Sequence, residues 1–156
     1  MSKSFSMFIP IKPTATPRAK ITTRGGFGRG YYPKKYTQYM DTIALLVKSE
    51  MNKQGVEMIP EGEIVSIGLI FSLNRPKSHY RTGKYSMERK EVSPKGHVKK
   101  PDLDNLIKGV LDSLNGFLFH DDSQIVQISA FKKYSNIEGI TISSLRSHPL
   151  TRRSDD

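Results

Sequence analysis

The run Lys99-Lys100-Pro101-Asp102-Leu103-Asp104-Asn105-Leu106-Ile107-Lys108 is followed by Asp112 and then by Asp121-Asp122. Carboxylates, an amide and a lysine are thus gathered around one segment of the chain. Hard cations such as Mg²⁺ prefer oxygen ligands and keep several waters, so two or three carboxylates are a typical protein share. At a phosphodiester such an ion activates water, polarises the phosphoryl oxygens and stabilises the leaving oxygen. A nearby ammonium adds charge stabilisation at the scissile phosphate. Lys108, one helical turn after Asp104, has the type and spacing for that part. The chemistry implied is metal-dependent cleavage of a polyanion, the work of a nuclease.

Each feature also has an ordinary explanation. Asp at a helix start caps the first amides and suits the dipole. Asp104 and Lys108 have the spacing of a surface ion pair worth a few tenths of a kcal/mol. Asp121-Asp122 reads equally as a solvated turn. Asp112 lies two turns below Asp104, about 12 Å by helical rise, and is better read as structural. What favours chemistry is the setting. The chain carries a net charge of +10, with +7 on residues 12–35 and +7 on residues 74–100, which leaves −4 on the rest, where the Asp cluster lies. Two basic segments beside an acidic centre fit nucleic acid. No long apolar run, lipidation motif or basic amphipathic helix points to a membrane. With no cysteine, disulfides and thiolate metal sites are excluded. The N-terminus lacks the apolar stretch of a signal peptide, so a reducing cytoplasm is the expected compartment.

The elements that must position these residues follow from periodicity. Phe5, Met7, Ile9 and Ile11 alternate as a short strand closed by prolines. Residues 12–35 show no periodicity and include the Gly-rich Arg24–Tyr32 run, which predicts a mobile loop. Tyr36, Met40, Ile43, Val47 and Met51 predict a helix from Tyr36 to about Lys53, with Gly55 just past its end. Val65, Ile67, Leu69, Phe71 and Leu73 alternate as a strand, and residues 74–100 form a second basic, aperiodic loop. Leu103, Leu106, Ile107, Val110, Leu114 and Phe117 mark the apolar face of a helix ending in a left-handed cap at Asn115-Gly116, with Asp104, Lys108 and Asp112 along the opposite stripe. Strands over Gln124–Lys133 and Ile137–Leu145 are expected to be joined by a turn at Ser135-Asn136. If the first of these runs beside the strand ending near Leu73, Asp121-Asp122 approaches the helix start. The fold class is therefore a small α/β domain in β-α-β-α-β-β order, with both helices on one face of a mixed sheet. It spans residues 1–146, with a polar tail over 147–156.

The pattern Asp-Leu-Asp-Asn-Leu-Ile-Lys at 102–108, then Leu111-Asp112-x-Leu114-Asn115-Gly116, then Asp121-Asp122-x-Gln124-Ile125, resembles the RusA-type Holliday junction resolvases of bacteria and prophages. The resemblance is dense over about residues 100–133. It implies a homodimer that binds four-way DNA junctions by structure and makes paired, symmetric, Mg²⁺-dependent nicks, with Mn²⁺ as a substitute metal. It places the catalytic, metal-binding aspartates on Asp102, Asp104 and Asp122, the essential lysine on Lys108, and Asp121 as an assisting neighbour. It implies action in recombination and repair of bacterial or phage DNA in the cytoplasm. One departure is that the arginine found before the first Asp in familiar members is here Pro101, preceded by Lys99-Lys100, so phosphate contact shifts to Lys100.

The basic loops supply the expected DNA contacts. Arg75, Lys77, Arg81, Lys84, Arg89, Lys90, Lys95, Lys99 and Lys100 interleave with His79, Tyr80, Tyr85 and His97. Cations bind phosphates and aromatics stack on unpaired bases. Arg24 and Arg29 extend this to the Gly-rich run. That run lacks the G-x-x-x-x-G-K-[ST] pattern, so no nucleotide cofactor is expected. His120 reads as a packed or solvated side chain. Three functions stay open on the residues alone: a junction resolvase, a broader flap or fork nuclease, and a non-catalytic junction- or RNA-binding protein.

Overall fold

The computed structural model of the chain describes residues 3–91, 93–94 and 96–147, with backbone only at Lys3 and Ser147. The elements are β1 (Lys3–Ile9), β2 (Lys20–Thr22), β3 (Arg29–Tyr31), α1 (Lys34–Gln54), β4 (Ile64–Asn74), α2 (Leu103–Leu114), β5 (Ile125–Ser135) and β6 (Gly139–Ser147). The main sheet has the order β1-β6-β4-β5. β4 pairs with β5 in parallel and with β6 antiparallel, and β1 closes the other edge antiparallel to β6. The sheet is mixed, as expected from the element order.

Both helices cover one face. Val65, Ile67, Leu69 and Phe71 of β4 are buried, as are Ile140 and Ile142 of β6 and Phe5 and Ile9 of β1. Register puts them side by side, with Leu69 opposite Ile142 and Phe71 opposite Ile140. Against them pack Ile43 and Val47 of α1 and Leu106, Val110 and Leu114 of α2. α1 ends where Gly55 turns left-handed at φ 65° and donates its N–H to the Asn52 carbonyl. A residue with a side chain is strained in that conformation, which is why glycine ends the helix there.

The structure corrects four expectations. β5 and β6 are not a hairpin. β4 lies between them, and Asn136–Glu138 carries the chain past the end of β4. Hydrogen-bonding capacity on both edges of the most buried strand decides this, because β4 must be paired on both sides. Within residues 12–35, where no periodicity is visible, β2 and β3 form a small antiparallel hairpin. Within 74–100 the chain makes two short 3₁₀ turns, Lys77–His79 and Gly83–Tyr85. α2 stops at Leu114 with an extended Asn115, and the positive φ falls on Gly116 (86°) in the turn that follows, so the left-handed residue is not the cap itself. Past Ser147, the expected tail lies outside the described residues. Among the described residues no helix is long and apolar enough to cross a membrane.

Candidate active site

The start of α2 forms the first corner of the site. Asp102 is the N-cap residue, and its carbonyl accepts the first helical hydrogen bond from Leu106 N–H at 3.2 Å. Its carboxylate makes no capping bond. It accepts instead from Lys100 Nζ at 2.5 Å. Asp104 stands in the first turn, exposed and without a side-chain partner among the described residues. The capping explanation therefore does not describe either side chain. Lys108 donates to Asp112 Oδ2 at 3.1 Å rather than to Asp104. That hydrogen bond, and the charge of Asp112 behind it, raise the Lys108 pKa. Asp112 thus anchors the lysine, a structural part.

Two features hold this corner in place. Gly109 lets α1 approach, since a Cβ there would sit 2.7 Å from Tyr36 Oη. Lys132 on β5 donates through Nζ to the carbonyls of Lys99 (2.7 Å) and Pro101 (2.8 Å), while its own carbonyl accepts from His97 N–H. One lysine thereby straps the segment leading into Asp102 onto the sheet. Sequence reasoning missed Lys132. Its partners are backbone carbonyls, which leave no side-chain pattern to read.

The second corner precedes β5. Asp121 caps the 3₁₀ turn Asp122–Gln124, accepting from Ser123 N–H and from Ser123 Oγ, and its own N–H donates to Gln124 Oε1. The Ser123 hydroxyl, then its N–H, hold the Asp121 pKa below the usual value. Gln124 Nε2 donates to the carbonyls of Pro60 (2.7 Å) and Glu63 (3.0 Å), tying the turn to the segment before β4. Asp122 is exposed and has no side-chain partner among the described residues. His120 is exposed too, and its N–H donates to the Ile59 carbonyl.

The two corners do not meet within one chain. β5 does run beside β4, but in parallel, so Asp121-Asp122 lies by the start of β4 and not near Leu73. The strap beneath Asp102 is held at Lys132, opposite Phe71, seven residues along β5 from Ile125. At strand rise that is about 23 Å. Among the described residues no three of His, Asp and Glu stand close enough to hold a metal ion. The donor chemistry, carboxylate oxygen throughout, suits a hard cation. A single chain nevertheless divides the donors between two ends.

The basic loop before α2 packs on Tyr134. The rings of His79 and His97 lie 4.8 Å from it and the Arg75 guanidinium 5.1 Å. Arg75 also donates to the Pro94 carbonyl at 2.6 Å. Arg81 pairs with Glu88 at 2.6 Å and lies over Tyr85, which Lys84 also approaches. Lys77, Arg89, Lys90 and Lys99 are exposed without side-chain partners among the described residues. Arg24 and Arg29 sit on the β2–β3 hairpin, and Lys95 lies outside the described residues.

Comparison with known proteins adds to this geometry. Residues 10–143 match the family described as Endodeoxyribonuclease RusA. The chain is also similar to Uncharacterized protein YqaN of Bacillus subtilis (strain 168), 32% identical over 127 residues that cover 80% of this chain and 83% of that protein.

Proposed function

Because the chain belongs to the RusA endodeoxyribonuclease family, we propose that it is a Mg²⁺-dependent homodimer that resolves four-way DNA junctions by paired, symmetric nicks, acting on recombination intermediates in the bacterial cytoplasm. The observation that carries this reading is the pair of free carboxylates, Asp104 and Asp122, set at opposite ends of β5.

β5 is an edge strand of 11 residues. Among the described residues its outer side is met only near its end, where Gly96 bridges to Lys133 and His97 N–H donates to the Lys132 carbonyl. From Ile125 to Phe131 that side has no strand partner among the described residues, and Val126, Ile128 and Phe131 are exposed at 66%, 43% and 61%. A long, apolar, unprotected edge is a template for pairing. Twofold antiparallel pairing of two copies about Ile128 brings the Asp122 end of each against the Pro101–Asp104 corner of the other. Such an isologous contact yields two equivalent sites, which suits symmetric cuts.

When bound, the metal supplies an activated water and charge neutralisation at the phosphate. Asp102, Asp104 and Asp122 are the residues to hold it, with Asp102 leaving Lys100 to do so. Released Lys100, with Lys99, then faces the DNA backbone. Lys108, held in place by Asp112, stabilises charge on the phosphate being cut. The exposed cations of the loop before α2 hold the flanking strands.

The direct test is cleavage of an end-labelled mobile four-way junction by the wild type and by Asp104→Asn, with Mg²⁺ or with EDTA. Paired, Mg²⁺-dependent nicks that Asp104→Asn loses while still binding are the expected result. Preferential cutting of a flap or fork in the same assay would move the assignment to a broader branched-DNA nuclease. Tight binding with no cutting in any metal would leave a binding protein.

A further inference from the structure

The β2–β3 hairpin is a finger that stands at the first corner. One root is Thr16, whose N–H and Oγ1 both donate to the carbonyl of Asn105, next to Asp104. The same hydroxyl shares a hydrogen bond of 2.8 Å with Tyr36 Oη. The other root is Tyr32, edge-on to Tyr36 with ring centres 5.2 Å apart. Beyond these roots three paired rungs, Lys20–Tyr31 to Thr22–Arg29, carry the chain outward. The tip turns through Gly25 and Gly26, both at positive φ, and ends on Phe27. Strand rise places that tip on the order of 10 Å beyond the first rung.

The finger's surface does not fit a self-contained turn. Phe27 is 75% exposed and Ile21 77%. Lys20, Arg24 and Arg29 flank them, and the segment carries no acid. A two-stranded hairpin by itself is marginally stable in water, so an apolar tip on one gains from being covered by a partner. Cations at the sides and an aromatic ring at the end match phosphates at the sides of a groove and a base step at its end. Proteins that open base steps use such apolar wedges and recover the unstacking energy through added contacts. Base steps are weakest where strands exchange.

We infer that Phe27 is a wedge that enters the exchange point of a branched DNA and stacks on a base there, so that the hairpin selects branched over continuous duplex at the cutting site. This rests on the nuclease reading above. Arg24 and Arg29 grip the two backbones that diverge around the tip.

The test uses four-way junctions carrying one 2-aminopurine at the exchange point, and a linear duplex with the same base in mid-helix. Fluorescence is read on proteins carrying Asp104→Asn, so that nothing is cut, and cleavage is read on proteins that retain Asp104. With Phe27 present, 2-aminopurine emission rises on the junction and stays constant on the duplex. Phe27→Ala abolishes the rise and lowers junction cleavage about tenfold, the scale of losing one base–aromatic stack, while Phe27→Trp retains both. Phe27→Ala with unchanged emission and unchanged cutting overturns the wedge and leaves the nuclease reading standing. A wild type that neither binds nor cuts any junction overturns both. Because Phe27 is exposed, its replacement leaves the core intact, and an unchanged thermal midpoint verifies this.

Discussion

The two corners at the ends of β5 are built alike. Each presents two nearby aspartates, and each commits one of them locally. At the first corner Asp102 is held by Lys100 and Asp104 stands free. At the second, Asp121 is held by Ser123 and Asp122 stands free. They differ in how they are anchored. The first hangs on a long-range strap, Lys132 to the carbonyls of Lys99 and Pro101. The second closes on itself within four residues and is pinned by Gln124. The lesson is that adjacency in sequence does not give two acids the same surroundings. At the second corner Asp121 shapes the backbone and leaves Asp122 available, whereas Asp102 is held only by a side-chain ion pair to Lys100.

The sharpest way to break this comparison is to mutate the free member at each end. Asp104→Asn and Asp122→Asn are each expected to abolish cleavage, a loss of at least 10²–10³-fold on the scale of removing one electrostatic stabiliser, with junction binding kept in EDTA. Mixing the two dead variants is more telling. If each site takes one corner from each copy, half of the sites in a mixed dimer are intact, and unpaired nicks return. If each site lay within one chain, the mixture would stay dead.

The strap comes next. Lys132→Met is expected to reduce cleavage 10–100-fold, the usual effect of losing an outer-shell support of a metal ligand. Lys132→Arg, which keeps the charge and the donors, should recover part of it. A parallel Mg²⁺ titration separates the explanations. A raised Mg²⁺ requirement with unchanged junction binding marks loss of the corner, whereas weakened binding at unchanged Mg²⁺ requirement marks a lost phosphate contact.

The smallest effect belongs to the locally committed acid of the second corner. Asp121→Asn is expected to cost less than about tenfold in cleavage, since the donor set keeps Asp122, a loss within one outer-shell contribution. Its pKa is depressed in the folded protein from the usual 3.8, first by the Ser123 hydroxyl. A depressed folded value means stability that is fully present above the unfolded pKa and is lost as pH falls through the folded one. Acid unfolding below about pH 4 should therefore come slightly earlier for the wild type than its neutral-pH stability implies, and Asp121→Asn should flatten that limb in a pH series of thermal melts.

Much of this protein is determined by its sequence alone. Ile43, Val47 and Met51 at helical spacing, and Val65 to Phe71 at alternation, declare α1 and β4 because a single buried face forces those periods. The aspartates, Lys108 and the basic loops, with the spacing that marks the family, are likewise visible without coordinates. The hairpin was not, because strands of three residues in a Gly-rich run carry too little pattern to register. Neither was the strap, which acts through backbone carbonyls. Above all, alternation reveals that a strand exists and not which way it runs or which strand lies beside it. Only the tertiary structure decided that β5 joins β4 in parallel. Strand direction in a sheet is set by how α2 must cross to cover the core, and that crossing carries Asp104 and Asp122 to opposite ends.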